Sequence, residues 1–480
     1  MLFNSIEFLI FFPLVFCVFW FFLKNKIKSQ NIFLLLSSYI FYGFWDLRFL
    51  FLIILSTIVD FNIGLSLSQK KNKSIRKSLL LISIFINLSI LGFFKYYNFF
   101  IESISDLLLL FNYSTTHNLY LNLILSVGIS FYTFQTLSYT IDIYRNKIKP
   151  TNDYISFALF VSFFPQLVAG PIERASRLLP QIISLKKFNY TQSVDGLRLT
   201  LWGFFKKVVI ADSLAPIVND IFLNYSSISG SMLFIGAFLF SFQIYCDFSG
   251  YSDIAIGISK VFGIELNSNF KFPYFSRNIG EFWTRWHISL SSWFKDYLYI
   301  PLGGSKKNKR ITLLNIFIVF LISGLWHGAN FTFLMWGLFH AVLYIPLYIS
   351  KKNKKYNNID FAKNGLIRFR EIFNCITTFC LVSIGWIFFR SETVEDSFFY
   401  ISKMFNPNNF FDLDLSIFLV FPSLIFLIIV EFICRKDERK TVFHFIKNKN
   451  IRKMTYLFFF YIIYINWLNQ SDVNFIYFQF

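Results

Sequence analysis

Charge is scarce in this sequence: 15% of its 480 residues are Asp, Glu, Lys or Arg, against 55% hydrophobic and 22% aromatic. A soluble domain carries about a quarter of its residues charged, so a chain long enough for two or three such domains does not build them here. Cysteine is sparse too. Cys17, Cys246, Cys375, Cys380 and Cys434 show no metal-ligand spacing, read as small buried hydrophobes, and give no reason to expect a bound metal or cofactor. Gly-x-Gly-x-x-Gly, a Walker loop, fixed-period repeats and low-complexity linkers are all missing, which excludes conventional nucleotide-fold chemistry and repeat architectures.

What the chain has instead is apolar runs from end to end, among them Glu7–Leu23, Phe49–Gly64, Ser78–Phe94, Ser231–Ile258, Thr312–Trp326, Phe331–Ile349, Cys375–Phe389 and Ser416–Phe432. Each approaches the length that crosses ~30 Å of hydrocarbon at ~1.5 Å per residue. The expected fold is therefore all-α and polytopic, with about twelve crossings plus re-entrant and interfacial helices, in one membrane domain over residues 1–480. Within it, 1–150 forms the amino-terminal helices, 151–345 the core and 346–480 the carboxy-terminal helices and an aromatic tail.

The formal charge of +19 sits in short clusters between the runs rather than on one face, which suits positive-inside orientation and not nucleic acid. The clusters Lys24–Lys28, Lys70–Lys77, Arg145–Lys149, Arg174–Lys187, Lys306–Arg310, Lys351–Lys355, Arg435–Lys440 and Lys447–Lys453 are placed in the cytoplasm. The acidic stretch Glu392–Asp414 and the uncharged Leu223–Ser231 turn then fall outside, as do both termini. The first run lacks a basic lead-in and a small-residue cleavage site and is read as a retained helix.

Three features break the pattern. Ile155–Val168 is apolar but flanked by cytoplasmic charge on both sides, so it is expected not to span, its helix broken by Pro165, Gly170 and Pro171. Phe282–Ile300, taken as one helix, gathers Phe282, Trp283, Trp286, Leu290, Trp293 and Phe294 in an arc of roughly 160° with His287 near its edge, an amphipathic helix along the cytoplasmic face. Asp247 and Asp253 lie inside an apolar run at ~2.5–3.5 kcal/mol each and are expected to face a polar interior. His327 follows only about 15 apolar residues, and Gly328, Ala329 and Asn330 then interrupt the helix, placing an imidazole within the membrane where it can take and return a proton. His340 is read as a packed helix-interior histidine, and His117 and His444 as loop residues. The residues alone thus reach a transporter or a membrane-embedded enzyme with a buried histidine.

The run Phe282-Trp283-Thr284-Arg285-Trp286-His287-Ile288-Ser289-Leu290-Ser291, then Tyr297-Leu298-Tyr299-Ile300-Pro301-Leu302-Gly303-Gly304 and Gly324-Leu325-Trp326-His327-Gly328-Ala329, resembles the membrane-bound O-acyltransferase family. Gly128–Gln135, Phe164–Ile172 and the Asp247–Asp253 segment extend the likeness along nearly the whole chain, with Ser126 standing where relatives often carry proline. The likeness is greatest to the bacterial branch that O-acetylates exported polysaccharides such as alginate or peptidoglycan. It implies an inner-membrane enzyme with His327 as catalytic base and His287 near a cytoplasmic acetyl-CoA donor. Asp247, Asp253, Arg285, Trp286 and Asn330 are candidate substrate-binding residues. The implied partners are membrane lipid, an exported polysaccharide and an SGNH-type acetyltransferase outside the membrane. The tail Phe475-Ile476-Tyr477-Phe478-Gln479-Phe480 resembles a terminal family motif, which makes Tyr477 a candidate acyl relay. Two other readings stand beside this one: a teichoic-acid D-alanyl transferase fed by a carrier-protein thioester, and a glycan or lipid transporter without acyl chemistry.

Overall fold

The computed structural model describes residues 1–113, 119–124, 126–356, 369–406, 415–469 and 475–476. Helices dominate and no strand occurs among the described residues. The chain forms two compact units, Met1–Gly196 with Ile258–Asn267, and Leu197–Gly257 with Ser268–Phe480. Among the described residues, six helices have the length and apolarity to cross a membrane: Leu47–Gln69, Lys73–Leu110, Gly230–Val261, Lys309–His327, Phe331–Ile349 and Phe369–Arg390. Ile6–Phe22 and Phe421–Cys434 are shorter apolar helices.

In the first unit, the 38-residue Lys73–Leu110 helix is about 57 Å long at 1.5 Å per residue, well beyond a hydrocarbon core. Residues 120–124 lie outside any helix and are tied to this one. The Tyr97 hydroxyl donates to the Leu119 carbonyl at 3.2 Å and the Asn98 amide to that of Leu121 at 2.7 Å. Helix resumes at Ile129 after Gly128, whose φ of +77° is left-handed and whose Cα lies so close to the Leu167 carbonyl that a Cβ would stand 2.6 Å from its oxygen.

Residues 155–168 form no helix long enough to span. Asp153 caps a nine-residue helix, Tyr154–Ser162, by accepting from the Ile155 N–H at 3.0 Å. The helix is only about 14 Å long and breaks at Phe163. A single turn, Phe164–Leu167, follows with Pro165 in it. Phe157 through Val161 are completely buried, so the freed backbone groups are shielded by protein.

The second unit is built on residues 230–257 of the 32-residue Gly230–Val261 helix, which is largely buried. Lys309–His327 and Phe331–Ile349 form an antiparallel hairpin held at backbone distance by glycine. A Cβ on Gly324 would meet the Phe333 carbonyl oxygen at 2.2 Å, and one on Gly337 that of Phe320 at 2.4 Å.

The expected single helix over Phe282–Ile300 is not formed. The structure has a helix Ile279–Arg285, a break at Trp286 and His287, a helix Ile288–Phe294 and a π turn Lys295–Tyr299. The break comes from tertiary backbone bonds: the Ile288 N–H donates to the Asn269 carbonyl at 2.8 Å, and the Lys271 N–H to that of Arg285 at 3.0 Å. These bonds hold His287 at φ +42°. Trp286 and His287 are consequently core residues, 0% and 1% exposed, rather than the rim of an interfacial helix.

Candidate active site

His327 ends the Lys309–His327 helix because Gly328 is fully extended and Asn330 starts the next helix, its side chain accepting from the Thr332 N–H at 3.0 Å. The imidazole is enclosed by aromatic rings. Trp326 and Trp336 stand 5.0 Å from it and Phe389 5.3 Å, all edge-on. His287, delivered by the left-handed break, has its ring 6.4 Å from that of His327. Phe248 packs on it edge-on at 4.8 Å and Trp326 at 5.8 Å, so Trp326 touches both imidazoles.

Beneath this pair Trp336 stacks on Trp386 at 5.7 Å, and Trp386 meets Trp286 at 4.8 Å. All three indoles are buried, and their N–H groups have no acceptor among the described residues. Buried donors of this kind need an acceptor, which a carbonyl oxygen can supply and be polarised by in return. His340, fully buried, packs 5.0 Å from both Trp283 and Trp336, the helix-interior position expected from sequence. Burial pushes the His287 imidazole down to about 3, so it is neutral at physiological pH.

Asp247 and Asp253 face ion pairs that the sequence reading missed. Lys207 Nζ lies 2.6 Å from Asp212 and 2.7 Å from Asp247, and Lys206 Nζ lies 2.7 Å from Asp253. Gly203 and Gly250 explain the reach: a Cβ on either would stand 2.6–2.8 Å from the other's carbonyl oxygen. The two helical segments therefore touch through their backbones. The aspartates lie three residues either side of Gly250, and the lysines occupy the π-helical Phe205–Ala211 segment, where two adjacent side chains are turned to one neighbour. Two consecutive lysines inside the apolar stretch 199–211 were the available signal.

The other candidates divide. Trp286 belongs to the indole wall. Arg285 is engaged by Glu281 at 2.8 Å and the Lys271 carbonyl at 3.2 Å. Asn330 caps its helix and donates to the Glu392 carbonyl at 3.0 Å. Tyr477 and His117 lie outside the described residues. The two residues before Tyr477 are described and buried: the Ile476 N–H donates to Asp247 Oδ2 at 2.7 Å, and Phe475 packs 4.8 Å from Tyr251 and 6.1 Å from Phe248.

Fold and site together define a multi-pass helical membrane protein with a buried histidine pair in an aromatic enclosure. The chain belongs to the membrane-bound O-acyltransferase family, whose sequence profile matches residues 7–352, and it is accordingly an O-acyltransferase. It is 38% identical over 389 residues to a protein of Pseudomonas aeruginosa named probable alginate O-acetylase AlgI, covering 79% of this chain and 70% of that one. A peptidoglycan O-acetyltransferase of Helicobacter pylori is 35% identical over 411 residues, covering 80% and 75%. A teichoic acid D-alanyltransferase of Bacillus subtilis is 30% identical over 285 residues, covering 56% and 70%.

Proposed function

We propose that this protein moves an acetyl group from cytoplasmic acetyl-CoA across a bacterial inner membrane for O-acetylation of an exported cell-surface polysaccharide, alginate-like or peptidoglycan. The observation that carries this reading is the approach of His287 and His327 around Trp326, against a wall of buried indole N–H groups. The longer span of similarity to acetylases than to the D-alanyltransferase favours acetyl as the group carried. An acyl-transfer site also answers better than a transporter to a base held in an apolar enclosure.

In this mechanism His327 takes the proton of the attacking hydroxyl, and its oxygen adds to the thioester carbonyl while the indole N–H groups receive the developing oxyanion. Collapse expels the thiolate, which takes the proton back from His327. His287, neutral, stands on the donor side and orients the thioester. Tyr477 is the first acceptor, forming a phenyl ester that the serine of an extracytoplasmic SGNH-type partner collects. Both chain termini lie on the extracytoplasmic side in this arrangement.

Purified protein in nanodiscs, given acetyl-CoA labelled in the acetyl group, tests the reading. Label should pass to Tyr477 or to water in the wild type and to neither in His327→Ala. Equal label transfer by the two proteins refutes the assignment of His327.

A further inference from the structure

The Asp212–Lys207–Asp247 cluster lies outside the histidine enclosure and takes no part in the chemistry above, yet it holds charge in a fully packed interior. Asp247 is engaged from two directions: Lys207 Nζ pairs with Oδ1 at 2.7 Å, and the Ile476 backbone N–H donates to Oδ2 at 2.7 Å. Phe475, beside it, is wedged against Phe248 and Tyr251, residues one and four positions after Asp247. Phe248 is in turn the ring that packs on His287. A peptide N–H reaching a carboxylate 229 residues away in sequence is a charge-assisted hydrogen bond, stronger than a neutral one. Lys207 stands beside the same carboxylate as its ion-pair partner.

We infer that Asp247, oriented by Lys207, is a positioning residue that latches the carboxy-terminal segment into the catalytic unit by its backbone at Ile476. The latch fixes the peptide immediately before Tyr477, so its catalytic meaning rests on the acyl-relay reading, whereas its existence does not. Because recognition is through an N–H, the identity of the side chain at 476 matters little and the presence of that proton matters a great deal. Ile476→Pro removes the donor without touching Asp247; Ile476→Val keeps both donor and shape. Asp247→Ala leaves Lys207 with Asp212 as its remaining carboxylate, so the rest of the cluster keeps a partner.

Carboxypeptidase digestion of the full-length protein in nanodiscs, followed by mass analysis of the terminal peptide, reads the latch directly. Phe475 and Ile476 should resist removal in the wild type and in Ile476→Val. They should be lost at least about tenfold faster in Asp247→Ala and Ile476→Pro, with the double variant no faster than either single one, as expected for two halves of one interaction. Unchanged protection in Asp247→Ala, or additive acceleration in the double variant, overturns the latch. Transfer of label to glycan should fall in parallel with protection while hydrolysis of the donor thioester persists. Failure of the relay registers separately: normal glycan acetylation by Tyr477→Phe with a protected tail removes the relay and leaves the latch standing.

Discussion

The imidazoles of His287 and His327 lie 6.4 Å apart, centroid to centroid, although one sits at a left-handed break and the other at a helix end 40 residues later. Trp326 contacts both. Their positions predict unequal mutants. His327→Ala should lower acyl transfer by about 10²–10⁴-fold, the usual worth of a general base, with insertion and donor binding retained. His287→Ala should raise the donor KM or slow transfer by a smaller factor. Initial rates with labelled acetyl-CoA check this, and turnover within a few-fold of wild type in His327→Ala excludes it as the base.

The buried His287 also makes stability depend on pH. Its imidazole falls from an ordinary value near 6.5 to about 3 in the fold, the cause being burial. Between those values the unfolded chain binds a proton that the folded chain refuses, so stability declines as pH is lowered from about 6.5 toward 3. His287→Gln removes that contribution. The loss of Tm between pH 7.5 and 5 should therefore be smaller in His287→Gln than in the wild type, and an equal loss in both would contradict the neutral, buried imidazole.

Glycine at 324 sets where His327 stands. The methyl of Gly324→Ala would meet the Phe333 carbonyl oxygen at 2.2 Å, a backbone atom that has no rotamer to yield. The hairpin must open, at a cost of about 1–3 kcal/mol for overpacking, carrying with it an imidazole three residues on. A displacement near 1 Å is worth about 100-fold in rate. Gly324→Ala should thus lose kcat out of proportion to its drop in Tm, and wild-type kcat would show that the approach at 324 does not position the base.

The apolar runs made the helical membrane class legible, and the Gly328-Ala329-Asn330 interruption located His327, because both signals are local. Pro165 likewise announced the break after Ser162. The break at His287 was not legible: Trp and His are ordinary helix residues, and what stops the helix is backbone bonding from Asn269 and Lys271, more than a dozen residues upstream. Lys206 and Lys207 escaped for a related reason. Lysines mark loops when read by orientation rules, and only the Gly203–Gly250 approach turns these two into partners for Asp247 and Asp253. Arg285 and Asn330, candidate substrate-binding residues by sequence, have side chains engaged by Glu281 and by a helix cap.

The ion pairs and hydrogen bonds between loops sort them into two groups, which makes membrane orientation testable at two positions. The Tyr225 hydroxyl donates to Asp396 at 2.5 Å and Lys403 reaches the Ser226 carbonyl, joining the two segments assigned to the outside, the uncharged 223–231 turn and the acidic, Lys-poor 392–414 stretch. Lys271 pairs with Glu438 at 3.5 Å, and the Asn278 amide reaches the Lys352 carbonyl at 3.3 Å, joining the basic loops around 352 and 438 through the 271–278 segment. Each pair requires its loops to share a side, and the positive-inside rule says which side the basic group takes. Cysteine at 403, in a background without other accessible cysteines, should react with an impermeant thiol reagent in intact cells, whereas cysteine at 308, in the basic 306–310 loop, should react only after the membrane is opened. Reaction at 308 in intact cells, with protection at 403, would invert the orientation and place the donor site on the opposite face from the cytoplasmic acetyl-CoA pool.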